Sequence, residues 1–297
     1  MGTTTISSGE PNVERIWDSV IVGGGAPGAH MHGYLPSGFQ AAGQEELFGY
    51  GASIVQATVA EAERATDGTF VLRLADGSIV RGRWLLVAMG LTDELPDILG
   101  LTERWASAVH QCPHRHGYDV GDHQIAVIGS TVGAWSVHLA ALMRRHSTSA
   151  MLCVNEADLE GTERQRLTAY DVNVLDVQEE RVSTRAPARD GDPSVIVEMD
   201  TGTSLRCEAI FVAPRPVPHE AILTTSDVQA DPASGLVTVD ASGAMSVEGL
   251  WAAGNVVDQR AQVVTAAGAG SGAGIAMSSR LLESELSGSV TAFGGEG

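Results

Sequence analysis

Apolar residues in the first third of the chain fall into strand-length runs punctuated by turn residues. Asp18 to Gly25 reads as a buried strand, Ser19-Val20-Ile21-Val22, running into glycines. Residues 52–60 form a second β-rich stretch. Phe70 to Leu74 and Ile79 to Arg83 flank Asp76-Gly77, a two-residue hairpin signal. Trp84 to Ala88 reads as a further apolar strand, entering a Pro-containing loop over Asp93 to Gly100.

The pattern restarts at Gln124. Ile125 to Ile128 is an apolar strand, followed by Gly129-Ser130-Thr131-Val132-Gly133-Ala134 and a helical spacing of Trp135, Leu139 and Leu142 up to Arg145. Met151 to Val154 is the next strand. Val195 to Met199, Ser204 to Cys207 and Ala209 to Ala213 repeat the hairpin-then-strand order of the first lobe, and Pro214, Pro216 and Pro218 punctuate the exit. Gly249 to Asn255 is strand-like, and residues 262–282 read as a small-residue helix. The pattern predicts an α/β protein of two nested Rossmann-like, three-layer lobes. Residues 1–117 with 216–297 form the first lobe, and residues 118–215 are inserted in it.

Charge changes the picture by exclusion. A formal net charge of −19 repels nucleic acid and anionic membranes, so the expected partner is a small molecule. The chain holds no lysine, which rules out Schiff-base chemistry on a lysine. No apolar run approaches the roughly 18 residues of a membrane span. Met1 to Glu10 is Thr/Ser/Gly-rich and lacks the plan of a signal peptide; it reads as a disordered lead-in to a cytoplasmic protein. Cys112, Cys153 and Cys207 form no C-x-x-C pair, and the last two sit in apolar segments as core residues.

Several stretches resemble the thioredoxin-reductase-like flavoproteins of the disulfide oxidoreductase superfamily. They are Val20 to Gly25, His30-Met31-His32-Gly33-Tyr34-Leu35, residues 90–98, Cys112-Pro113-His114-Arg115-His116-Gly117-Tyr118, and residues 251–263. The resemblance implies the nested two-lobe fold, a homodimer, and FAD- and NADPH-dependent disulfide chemistry.

Three departures set the chain apart. Gly23, Gly25 and Gly28 complete a G-x-G-x-x-G, which needs a helix behind it whose amides face the pyrophosphate, then an acidic ribose ligand roughly 20 residues on. Gly28 is followed almost at once by His30 to Gly33, a stretch that in the family lies beyond that helix and the next strand, so the first lobe is truncated. Arg115 stands where the family has the second cysteine of C-P-x-C, which removes the dithiol; as a permanent cation it suits an anion or an ion pair. In the inserted lobe Thr131 takes the second glycine position, where a Cβ crowds a pyrophosphate, and Asn155-Glu156 offers no arginine pair for a 2′-phosphate. NADPH binding is not expected. Gly254, Asn255, Gln262 and Val263 match the family's flavin-contacting segment and helix start, and can instead hold a substrate in the former flavin cavity.

His110, Cys112, His114 and His116 alternate. In an extended segment they share one face. Their i, i+2 spacing is not that of a structural zinc site, so no metal is expected. Acid–base work by an imidazole is in keeping with a near-neutral titration. The catalytic candidates are His32, Cys112, His114, Arg115, His116 and Tyr118. The expected function is a non-redox, FAD-independent enzyme that cyclises or isomerises a bulky small molecule in secondary metabolism. The alternatives are an oxidoreductase that holds FAD in an altered pose without dithiol chemistry, and a non-catalytic binding or scaffold protein.

Overall fold

A computed structural model describes residues 4–6, 16–22, 36–177, 179–184, 194–218, 228–232 and 234–294. The chain forms two compact units, Met1–Thr92 with Val217–Gly297, and Asp93–Pro216.

The first unit is built on strand β6 (Ile79–Val87). Its first half pairs antiparallel with β5 (Phe70–Leu74), which pairs in turn with β4 (Val59–Arg64). Its second half lies between two parallel partners, β2 (Ile16–Val22) and β17 (Leu250–Ala252). The sequence suggested separate strands on either side of Arg83. They are one strand, because no turn residue separates Arg83 from Trp84 and the strand changes partners instead of ending. The β5–β6 hairpin forms at Asp76-Gly77. Asp76 Oδ1 accepts from Ser78 N at 2.9 Å and Ser78 Oγ at 2.6 Å, and Gly77 takes φ +88°.

One face of this sheet buries Val20, Val22, Leu72, Leu85, Val87 and Leu250. The other buries Leu86 and Trp251 with Ala273 and Met277 of helix α5 (Val263–Gly294). Trp84 stacks on Trp251 there, with centroids 4.9 Å apart. Arg83 reaches Asp18 at 3.2 Å and Glu285 of α5 at 3.5 Å. The helix therefore runs well past the expected end at residue 282. Nothing within the stretch is a proline, and Ser279 and Ser289 donate to Ile275 O and Glu285 O inside the helix.

Two elements of this unit correct the sequence reading. Thr4–Ile6 is strand β1, pairing antiparallel with β3 (Ile54–Ala57), so part of the N-terminal lead-in is ordered; β-branched Thr4, Thr5 and Ile6 suit a strand. Helix α1 (Pro36–Gly49) was not foreseen, although Pro36 at its first position is a start signal.

The second unit holds an all-parallel sheet in the order β11 (Asn173–Leu175), β10 (Ala150–Cys153), β9 (Ile125–Ile128), β15 (Ala209–Val212), β8 (Val109–His110). Every residue of β9 and β15 is buried, as expected for strands covered on both faces. Helices α3 (Gly133–His146) and α4 (Gly161–Ala169) belong to this unit, α4 starting from a capping box between Glu160 and Glu163. An antiparallel sheet of β12 (Glu179–Thr184), β13 (Val195–Met199) and β14 (Ser204–Cys207) completes it.

The chain passes between the units in β7 (Leu91–Glu94) and β16 (Arg215–Pro218), which pair with one another and carry the Glu94–Arg215 ion pair. The loop expected from Asp93 thus begins as a strand, because its partner lies at the other crossing.

Gly129 ends β9 against the end of β10. A Cβ there would stand 2.1 Å from Val154 O and 2.9 Å from Ala157 Cβ. Gly129→Ala is expected to destabilise the protein by about 2 kcal/mol or more. Gly161→Ala, where a Cβ meets nothing within 4 Å, is expected to leave stability unchanged or raise it by up to about 1 kcal/mol. Urea midpoints of the two variants check the contrast.

Candidate functional site

In the second unit β8 ends at His110, Cys112 is the N-cap of the single-turn helix α2 (Pro113–His116), and Gly117 closes it. The alternation His110, Cys112, His114, His116 is therefore not extended, and its members do not share one face. Pro113 at the first helical position starts the turn, with His116 N bonded to Cys112 O at 3.2 Å and Gly117 N to Pro113 O at 2.8 Å. The turn folds His116 back onto His110. Their rings stack with centroids 4.1 Å apart and planes 25° apart, and His110 also lies 5.5 Å from the Phe211 ring on β15.

Cys112 is half-buried, His114 is exposed and Tyr118 is 88% exposed. Arg115 lies on the helical turn, but its side chain is outside the described residues, as is His32 altogether. So of the six candidates the structure brings His116 into a packed contact and turns His114 and Tyr118 to solvent. Gly117 is required by crowding: a Cβ there would stand 2.4 Å from Pro113 O and 2.7 Å from the His146 ring at the end of α3. Among the described residues no three His, Cys, Asp or Glu side chains converge to hold a metal ion.

Sequence reasoning missed two neighbours of this turn. His146 is brought to it by the length of α3. Asp93 accepts a hydrogen bond from Gln111; burial raises its carboxyl above the ordinary value, and the Gln111 bond partly offsets this.

In the first unit Gly254 is half-buried with φ +85°, a conformation that favours glycine. Asn255 Nδ2 donates to Asp258 O, Gln259 O and Ala261 O at 3.2, 3.1 and 3.3 Å. Asn255 thus organises the loop that leads into α5. Gln262 is exposed, its carbonyl accepts from Ala266 N at 2.8 Å, and Val263 is buried. Gly23, Gly25 and Gly28 lie outside the described residues. Among the described residues no strand pairs with the outer edge of β2, and Ile21 on that strand is 48% exposed. Helix α1 leads into β3, which pairs with β1 and not with β2.

The glycine turn of the second unit is closed by its own serines. Ser130 N donates to Ser136 Oγ at 3.2 Å, Val132 N to Ser130 Oγ at 3.3 Å, and Ser130 Oγ to Ala213 O at 2.5 Å. Asn155, at φ +45°, donates from Nδ2 to Gly129 O at 2.9 Å, and Glu156 beside it is exposed.

Residues 40–270 match the sequence pattern of the pyridine nucleotide-disulphide oxidoreductases, beginning beyond the Gly23–Gly28 turn. The crystal structure of HlmI is similar at a TM-score of 0.82 and 34% identity, over 92% of this chain and 87% of HlmI. An oxidoreductase from Agrobacterium tumefaciens is similar at a TM-score of 0.73 and 26% identity, over 87% of this chain and 85% of that one. In sequence, thioredoxin reductase sirT of Leptosphaeria maculans is 22% identical over 236 residues, 77% of this chain and 72% of its own length. The nested α/β fold is that of the thioredoxin reductases.

None of the three cysteines forms a disulfide, and burial pushes the Cys207 thiol up to about 12, with Cys153 also buried. A disulfide reagent is expected to modify Cys112 alone in the native protein and all three cysteines after denaturation, as counted by mass spectrometry. Asp93 gives a pH-dependent signature. Its folded carboxyl holds a proton more tightly than the unfolded one, so stability falls as pH rises from the ordinary value of 3.8 through the raised one. Asp93→Asn is expected to raise the thermal midpoint at about pH 7, with the gain closing at about pH 3, as read by calorimetry.

Proposed function

The chain belongs to the pyridine nucleotide-disulphide oxidoreductase family, and within it we propose a non-redox enzyme that works without FAD or NADPH. Its reaction is a cyclisation or isomerisation of a bulky small molecule, a tailoring step of secondary metabolism. The substrate is held where the family holds its flavin, beside Gly254 and the start of α5. One observation carries the reading: β2 has no strand beside its outer edge among the described residues.

The adenosine half of FAD needs a strand–helix–strand crossover behind the first glycine turn. A crossover takes roughly a dozen residues or more. The stretch from Gly23 to Ser53, α1 included, is long enough for one, but the strand after it, β3, pairs with β1 and not with β2 among the described residues. The pairing of β3 with β1 supports a reading without that half of the cofactor. The NADPH diphosphate fares no better. The amides of Ser130 and Val132, which would face it, are already held by serine hydroxyls. Arg115 in place of the second cysteine removes dithiol exchange.

The remaining chemistry needs no electron carrier. Cyclisation is an intramolecular bond-forming step that gains most from holding reacting atoms close and aligned. Isomerisation needs a proton taken from one atom and returned to another, within the range of an imidazole. His116, stacked on His110, is the acid–base candidate of the second unit, with Cys112 half-buried on the same turn. Helix α5 presents its first amides beside Gly254, where they favour partial negative charge.

Two measurements test this. Purified protein is expected to be colourless, to release no flavin on denaturation and to leave NADPH unoxidised. Deleting the gene in the producing organism is expected to accumulate a substrate that the purified protein converts to a product of the same molecular mass, since the reaction moves no hydrogen pair. A stoichiometric flavin, or a substrate two hydrogens heavier or lighter than that product, would overturn the proposal.

A further inference from the structure

His110 stands outside the catalytic candidates, yet it makes the closest ring contact in the second unit's turn. It is half-buried at the end of β8, its ring lies between those of His116 and Phe211, and its strand is fixed by parallel pairing to β15. A stack of two imidazoles is stable while at most one is charged. A second proton would place two like charges about 4 Å apart beside a phenyl ring that cannot solvate them.

Both rings make interactions besides the stack, and among the described residues the titratable groups on the elements around them include His138, Arg144 and Arg145 of α3. Cys112 and His114 lie on the turn itself, Asp93 reaches Gln111 next to His110, and His146 of α3 packs on Gly117. The element behind the pair, β15, offers Phe211. The side chain of Arg115 is outside the described residues.

We infer that His110 is a positioning residue for His116, holding its imidazole in plane and limiting the stacked pair to one proton at neutral pH. The consequence is a His116 ring that stays neutral, and so basic, further into acid than a lone histidine does. The inference rests on the proposed acid–base use of His116 for its purpose, but its physical content is a coupling between two rings and is measured without substrate.

The experiment is an NMR titration of histidine ring carbons in the full chain, with the signals assigned from His110→Phe and His116→Gln variants. His110→Phe keeps an aromatic ring in the stack and removes its charge. In that variant His116 is expected to take up its proton about one pH unit higher than in the unsubstituted protein. The unsubstituted protein is expected to show the two rings charging in separate steps, a readout that stands even if His110→Phe fails to fold. His110→Gln, which removes both ring and charge, is expected to broaden the His116 signal as the ring loses its fixed orientation. Identical His116 curves with and without His110, together with independent titration of the two rings, would overturn the inference. Discovery of a bound flavin would remove the proposed reaction while leaving this titration unchanged, so the two failures are distinguishable.

Discussion

A strand inside a parallel sheet must bond its backbone to neighbours on both sides and bury its side chains under elements on both faces. In the first unit β6 meets that demand and β2 meets half of it. Val20 and Val22 are buried under the antiparallel meander, while Ile21 on the opposite face is open to solvent and no described strand lies beyond. The crossover that would have supplied both the next strand and the covering helix is also what binds the far half of a dinucleotide. Packing and ligand binding therefore depend on the same crossover, which is why the proposed FAD-independent reading rests on this edge of the sheet. What survives is the other side of β6, where β17 and α5 keep the Trp84–Trp251 stack and the Gly254 turn.

The second unit shows the opposite case, a sheet whose glycine turn is bonded to its own serines. Gly129 is still needed, because the end of β10 passes too close for any side chain. That need is one of packing and persists without a nucleotide. The amides that follow are free to change role. Ser130 and Ser136 satisfy them with hydroxyls, and Asn155 seals the Gly129 carbonyl. A buried amide has to find an acceptor. A turn that supplies its own acceptors has less reason to recruit a phosphate.

The sequence was most readable where structure is decided locally. The Asp76-Gly77 hairpin, β9 and α3 follow from turn chemistry and periodicity and stand where the pattern placed them. Strands that exist through distant partners were not readable. β7 is a strand because β16 returns beside it, and β1 because β3 does. At the candidate site the residue types were legible and their geometry was not. Alternation suggested one shared face, but Pro113 starts a helical turn that swings His116 onto His110 and sends His114 outward. The proline was the signal available. Its weight at a first helical position exceeds that of a period of two over so short a run. Asn255 shows the same limit: its identity matched a flavin-contacting segment, while its amide is bonded to three carbonyls of its own loop.

With the second sulfur absent, the turn after β8 has lost the pair of groups whose oxidation state could change, and what remains there is a pair whose protonation state can. Val109, adjacent to His110, belongs to the same buried cluster as Cys207 and Ile210, and burial there is complete enough to push the Cys207 thiol up to about 12. His110 ends β8 and His116 lies on the turn after it, so the two rings meet where the buried sheet gives way to the turn. A stacked pair of rings suits moving one proton at a time, which is the acid–base use proposed for His116 and not a disulfide exchange.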